Sequence, residues 1–275
     1  MKILVTGAKG MLGQDLCPIL EDNGYEVVET DINNLDITNE FQINSVLSAE
    51  KPDIVIHCAA YTNVDLAESE LEKARLINAK GTENLAKACA KINATIVYIS
   101  TDYVFDGEKT SPYTPTDKPN PINNYGLTKY EGEQAILKFC EKYYIIRTSW
   151  LFGHHGKNFV ETMLKLTDAK VVNDQRGCPT WTVDLANEIA KIIKEEPFGI
   201  YHVCGGGEET TWYGFAKEIF KLARKKINLT PCTTEDFPRP AKRPKYSVID
   251  GTISCRNWKL ALKDYMALRI EEIDK

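Results

Sequence analysis

No stretch of the sequence approaches the ~18 consecutive apolar residues of a membrane span. The apolar run that opens "MKILVTGAKG" stops at Gly7, too early for the core of a signal peptide. Basic residues do not prevail either. The 34 Lys and Arg stand against 39 Asp and Glu, leaving a net charge of -5, and general nucleic-acid binding needs a dominant basic face. The eight cysteines include no C-x-x-C pair, and the four histidines no pair at metal-ligand spacing. The cysteines are therefore expected to be reduced thiols in a cytoplasmic protein with no metal site read from spacing. Internal repeats and low-complexity tracts are absent too. What remains is a 275-residue chain with 43% apolar residues, enough to bury a substantial core as one large domain or a domain carrying an added lobe.

The first half alternates short apolar runs with longer helical patterns. Strands are expected at 2–6, 26–30, 53–58, 95–100 and 144–148, with helices at 11–23, 38–50, 65–92 and 123–142 between them. Runs that are apolar on both faces and alternate with helices imply an α/β fold, a doubly wound parallel sheet of Rossmann type with helices on each side. Residues 1–150 are expected to form this dinucleotide-binding domain, completed by one more strand near 199–205 in "GIYHVCG". Segments 151–198 and 206–275, mixed in pattern, are expected to build a smaller, discontinuous C-terminal substrate-binding lobe. The loop "TSPYTPTDKPNP" at 110–121 is long enough to carry a function.

"GAKGMLG" follows the first strand and opens the first helix. A pyrophosphate needs a tight turn, bare backbone and free N–H groups at a helix N-terminus, which makes Gly7, Gly10, Met11, Leu12 and Gly13 its candidate cradle. The spacing is G-x-x-G-x-x-G, so a purely structural turn competes with this reading. Asp31, just past the second strand, stands where an acidic side chain accepts from an adenosine ribose and repels a 2′-phosphate, which favours NADH over NADPH. Asp36 and Ile37 in "LDIT" are candidates beside the adenine. Ala59, Ala60 and Tyr61 in "HCAAYTNVD" follow the next strand, where small side chains let a dinucleotide lie against the backbone. His57 reads as a satisfied strand-end histidine, not as a ligand.

The run ending in "YISTDYVFDG" places Thr101 at the carboxyl end of a buried strand, where doubly wound folds hold ligands. In "NNYGLTKYEGE", Tyr125 and Lys129 lie four apart at the head of a helix and so on one face. Such a pair arises easily by chance, and Tyr213 with Lys217 is a second one, late in the chain. Position favours Tyr125. Its phenol could give a proton to a carbonyl oxygen bonded by Thr101, with the Lys129 ammonium and an oxidised nicotinamide nearby both lowering the phenol pKa towards neutrality.

Together "GAKGMLG", "STDYVFDG", "YGLTKYEGE", "RTSWLFG", "NDQRGCPT" and "RPKYSVID" resemble the extended short-chain dehydrogenases/reductases, and within them the dTDP-4-dehydrorhamnose reductase family. The resemblance runs nearly end to end. It implies an enzyme that reduces the 4-keto group of a dTDP-linked sugar with NADH or NADPH in polysaccharide biosynthesis, with Thr101, Tyr125 and Lys129 as the catalytic set. It also implies that Asp102 and Trp150 lie against the sugar, Trp150 offering a flat face. Arg243, in a basic cluster with Arg239, Lys242 and Lys245, suits a nucleotide diphosphate. Mg²⁺ and a homodimer are admitted by resemblance only. A nucleotide-sugar epimerase or dehydratase, a non-catalytic dinucleotide-binding regulatory subunit and an NADPH-binding redox sensor remain competing readings.

Overall fold

The computed structural model describes residues 1–273. Residues 274 and 275, the end of the segment expected in the second lobe, lie outside it. Five apolar runs form β1 (Lys2–Thr6), β2 (Glu26–Thr30), β3 (Ile54–His57), β4 (Thr95–Thr101) and β5 (Tyr143–Thr148). Between them run α1 (Met11–Asp22), α2 (Glu40–Glu50), α3 (Leu71–Arg75), α4 (Thr82–Ile92) and α5 (Asn124–Phe139). The chain continues through β6 (Leu151–Phe152), α6 (Phe159–Leu164), β7 (Asp168–Val172), β8 (Arg176–Gly177), β9 (Thr180–Trp181) and α7 (Thr182–Glu195). It ends with β10 (Gly199–Gly206), β11 (Thr210–Thr211), α8 (Trp212–Leu222), β12 (Asn228–Cys232), β13 (Ile253–Asn257) and α9 (Trp258–Ile273).

Seven strands pair in parallel in the order β13-β10-β5-β4-β3-β1-β2. Residues alternate between two cores because side chains alternate across a strand. Ile3, Val5, Ile56, Val97 and Ile146 pack towards α1 and α7, whereas Leu4, Val55, Ile96, Tyr98 and Ile145 pack towards α2, α4 and α5. Each fully buried aliphatic side chain contributes ~1.5–3 kcal/mol, so the strand ends are held on a stiff platform. The chain order reverses about β1 and β3, which opens a crevice at the carboxyl ends of these strands.

Local chemistry sets the helix ends. The Asn39 side chain accepts from the Gln42 N–H at the start of α2, and Asn123 does the same for the Gly126 N–H at the start of α5. Asn93, at φ 58°, closes α4 in the left-handed conformation.

The segment 65–92, expected as one helix, is broken. A 3₁₀ turn at Leu66–Glu68 precedes α3, and a π-helical turn at Leu76–Gly81 links α3 to α4. The reason is Asn78, which is fully buried. Its amide nitrogen donates to the Tyr61 carbonyl and the Thr128 hydroxyl at 3.0 and 3.1 Å, and its side-chain oxygen accepts the Tyr61 N–H at 2.8 Å. The widened turn accommodates an inward polar side chain that a regular helix would have left on its surface.

The remaining elements surround a third core that includes Phe152, Trp181, Phe215, Trp258 and Tyr265. Three two-stranded ladders, β6–β9, β7–β12 and β8–β11, frame it. One part of the segment 206–275 departs from the expected lobe: β13 joins the main sheet as its edge, parallel to β10. Its sequence, "ISCRN", mixes polar and apolar residues as an edge strand can, so it lacks the apolar run that marked the inner strands. The loop at 110–121 returns to the sheet as well. Tyr113 bridges Ile249, and the loop covers buried polar groups of β5 and β10 without lining the crevice. Among the described residues no helix is long and apolar enough to cross a membrane.

Candidate active site

The crevice at the carboxyl ends of the strands is a cleft of about 1120 Å³. Gly7, Gly10, Met11, Leu12, Gly13, Asp31, Asp36, Ile37, Ala59 and Ala60 all line it at one end, and Thr101, Asp102, Tyr125, Lys129 and Trp150 at the other. Tyr61 does not. Its backbone N–H and carbonyl are both bonded to Asn78, and its hydroxyl donates to Glu70 at 3.0 Å.

The glycine turn fits a pyrophosphate. Gly7 has φ +67°, and a Cβ there would lie 2.7 Å from the Ala59 nitrogen, while a Cβ on Gly13 would lie 2.5 Å from the Gly7 carbonyl oxygen. The three segments therefore touch backbone to backbone. The N-terminus of α1 has no side-chain cap and no acidic residue in its first turn, leaving its N–H groups for an anion. Asp31 is fixed by backbone: Oδ2 accepts the Lys9 N–H at 3.1 Å and Oδ1 the Ile32 N–H at 2.7 Å. These contacts make the cleft suited to a dinucleotide.

At the other end, β4 delivers Thr101, and α5 delivers Tyr125 and Lys129. Gly126 explains how the helix comes so close. A Cβ there would sit 2.1 Å from the Tyr103 carbonyl oxygen, so only glycine lets the head of α5 lie against the chain leaving β4. The Thr101 hydroxyl donates to Asp102 Oδ1 at 3.0 Å and accepts the Tyr103 N–H at 3.1 Å. Lys129 is buried with its ammonium 4.1 Å from the centroid of the Tyr98 ring. Burial lowers its pKa to about 7, opposed by the charge of Glu133 and by Cys58.

On balance the chain's own groups do not lower the Tyr125 pKa; the share expected from an oxidised nicotinamide is a separate matter. Burial and the Asp102 carboxylate push the phenol well above its ordinary value, the nearby Thr101 hydroxyl acting in the other direction. The phenol therefore stays in its proton-bearing form. Asp102 is itself pushed up to about 7 by burial, against the favourable hydroxyls of Ser247 and Thr101. His57 is buried, bonded to Thr6 at 2.8 Å and Thr82 at 3.1 Å, and held neutral with a pKa of about 3 by burial and by Lys129.

Two expectations for the substrate end need correction. Arg243 does not line the cleft: its guanidinium pairs with Asp65 and donates to the Ala241 carbonyl at 2.7 Å. Arg239 pairs with the same carboxylate. Burial works against charge on Asp65, yet the two arginines hold its pKa down to about 2, so this half of the basic cluster is already neutralised. Trp150 does line the cleft, but one of its two faces is covered. Trp212 stacks on it with ring centroids 3.6 Å apart and planes 8° from parallel. Trp212, together with Lys73, Lys157, Phe159 and Thr148, lines the cleft without having been singled out from sequence. Only Thr148 carried a signal, inside "RTSWLFG"; Trp212 stands in "TTWYGFAK", where the late Tyr–Lys pair drew attention instead.

Residues 1–269 match the protein family described as "RmlD substrate binding domain". The chain belongs to the RmlD family. Relatives in this family are similar along the whole chain. A dTDP-4-dehydrorhamnose reductase from Clostridium acetobutylicum has 48% identity over 98% of this chain and 100% of its own, with a TM-score of 0.95. The Bacillus anthracis dTDP-4-dehydrorhamnose reductase, solved in complex with NADP, has 41% identity over 97% of this chain and 99% of its own, with a TM-score of 0.94. The spore coat polysaccharide biosynthesis protein SpsK of Bacillus subtilis is 41% identical, with 99% of both chains covered. For the Mg²⁺ admitted by resemblance, no group of three or more His, Cys, Asp or Glu able to hold a metal is found among the described residues, so no residue is assigned to it.

Proposed function

We propose that this RmlD-family chain reduces the 4-keto group of dTDP-4-dehydro-L-rhamnose to dTDP-L-rhamnose, a precursor for polysaccharide synthesis, at the expense of NADH or NADPH. The observation that carries the proposal is the convergence of Thr101, Tyr125 and Lys129 in the same cleft as the Gly7–Gly13 turn. Bound there, the dinucleotide supplies the hydride. Tyr125 gives its proton to the oxygen as charge develops on it, and its raised pKa keeps that proton available through neutral pH. Thr101 donates a hydrogen bond to the same oxygen, and Lys129 stabilises the phenolate that is left.

The test is consumption of reduced cofactor by the purified protein over a panel of nucleotide-linked 4-keto sugars. Oxidation only when a dTDP-4-keto-6-deoxy sugar is present supports the proposal. Isomerisation of a nucleotide sugar without net loss of reduced cofactor transfers the reading to an epimerase, and no turnover of any sugar to a binding subunit.

NADH is the favoured donor on the strength of Asp31, whose carboxylate lines the cleft and is fixed by two backbone N–H groups, because an acidic side chain beside an adenosine ribose repels a 2′-phosphate. Asp31→Ala is expected to raise kcat/KM for NADPH relative to NADH by about tenfold, the loss of ~1.4 kcal/mol of discrimination. An unchanged ratio removes Asp31 from cofactor choice. The relative seen with NADP makes the ratio the informative quantity, because binding of either dinucleotide alone decides nothing.

A further inference from the structure

The hydrogen bonds around Thr101 leave it one proton short. Its hydroxyl has a single hydrogen, and that hydrogen is donated to Asp102 Oδ1 at 3.0 Å, while its oxygen is already an acceptor for the Tyr103 N–H at 3.1 Å. To donate to a ketone it must withdraw the hydrogen from Asp102. Asp102 is 3% exposed, and its other oxygen, Oδ2, has no hydrogen-bond partner among the described residues. A carboxylate stripped of that donor would be a buried charge with no cation beside it, left to the Ser247 hydroxyl and the backbone N–H groups of Asp102 and Tyr103. A neutral acid resolves the conflict: with a proton on Oδ1, Asp102 becomes the donor, Thr101 accepts from it, and the threonine hydrogen is released towards the cleft.

We propose that Asp102 works as a neutral carboxylic acid, a positioning residue whose proton turns the Thr101 hydroxyl from Asp102 towards the substrate ketone. This rests on the reductase reading above and adds to it a requirement on Asp102 that the Thr101, Tyr125 and Lys129 set does not contain. No proton is transferred in the switch: the hydrogen bond between Thr101 and Asp102 reverses direction, and the freed threonine hydrogen forms a new one to the ketone. The titratable groups that face Asp102 bring it no positive charge: they are the Tyr103 phenol beside it in the chain, the Tyr125 phenol of α5 and the Cys204 thiol of β10. The Ser247 and Thr101 hydroxyls and the backbone N–H groups of Asp102 and Tyr103 favour the charged form, and burial outweighs them. The guanidinium next to this group, that of Arg243, acts on Tyr103 and is paired with Asp65. The upward shift of Asp102 to about 7 agrees with this arrangement.

Asp102→Asn tests it, because an amide N–H can donate to Thr101 at every pH. In the wild type, turnover should decline as rising pH ionises Asp102 and recaptures the threonine hydrogen. In the variant that loss is absent, so the ratio of variant to wild-type kcat should climb with pH, by up to about tenfold per unit above the Asp102 pKa. Taking the ratio cancels the contribution of Lys129, which titrates in the same range. A second measurement needs no turnover. Infrared difference spectra of the full-length protein, with and without NADPH, should contain a protonated-carboxyl band at neutral pH that Asp102→Asn abolishes. A flat kcat ratio, or no such band, overturns the proposal. If the wild type reduces no keto sugar, the reductase reading fails by itself, and the band still decides the state of Asp102.

Discussion

Tyr125→Phe is expected to lower kcat by about 100- to 10,000-fold, with kcat/KM falling in parallel and the dissociation constant of the dinucleotide little changed. The size follows from the role. Without the phenol the oxygen loses its direct proton donor as hydride arrives, because Thr101 can donate a hydrogen bond but not readily lose its proton, and the Lys129 ammonium is held over the Tyr98 ring. The substitution is also structurally quiet. The ring keeps its edge-on contact with Tyr103, at 6.1 Å between centroids and 80° between planes. Thr101 keeps its bonds to Asp102 and to the Tyr103 N–H. Fluorescence titration with NADPH separates binding from chemistry, and a variant that turns over at the wild-type rate takes Tyr125 out of the reaction.

The parts of the molecule legible in the sequence are those set by local or periodic physics. A strand buried on both faces must be a continuous apolar run, so β1, β3, β4, β5 and β10 stand out, while β2, the half-exposed edge, is marked by only two valines; β1 and β2 match residue for residue. A backbone that must touch another backbone must be glycine, so the turn at Gly7 could be seen before its partner at Ala59 was known. What could not be read depends on partners distant in sequence. The π turn around Asn78 exists because Tyr61 and Thr128 meet it there, and nothing in "LINAKG" announces that. Arg243 reads as a free cation until Asp65, 178 positions away, is found beside it. Trp150 reads as a sugar platform until α8 lays Trp212 across it. The upward shift of the Tyr125 phenol is of the same kind, since it comes from burial and then from Asp102, which only the folded chain brings to it.

Glu133→Ala is expected to lower stability by ~3–5 kcal/mol, a drop in Tm on the order of 10 °C for a chain of this length, although residue 133 lies outside the cleft. Glu133 and Arg147 are 0% and 2% exposed and bond through two nitrogens, Nε to Oε1 at 2.9 Å and a terminal nitrogen to Oε2 at 2.7 Å. Ser100 completes the carboxylate, donating to Oε1 at 2.5 Å. On the far side, the Tyr113 carbonyl accepts from His202 Nδ1 at 3.0 Å, which leaves Nε2 as the acceptor facing the Arg147 guanidinium at 3.4 Å. Burial and then the charge of Arg147 keep this histidine neutral, with a pKa of about 3. Removing Glu133 thus strands a guanidinium between a neutral ring and a carbonyl, with no route to water. It also frees Ser100, the residue before Thr101, so the surviving folded protein should turn over more slowly. The cost is that of an unpaired charge and not of a missing attraction, which a double variant distinguishes. Glu133→Leu with Arg147→Met removes both charges at similar volume and should recover most of the lost Tm. Equal losses in the single and double variants would instead assign the stability to the hydrogen bonds that the pair makes with Ser100 and Pro115.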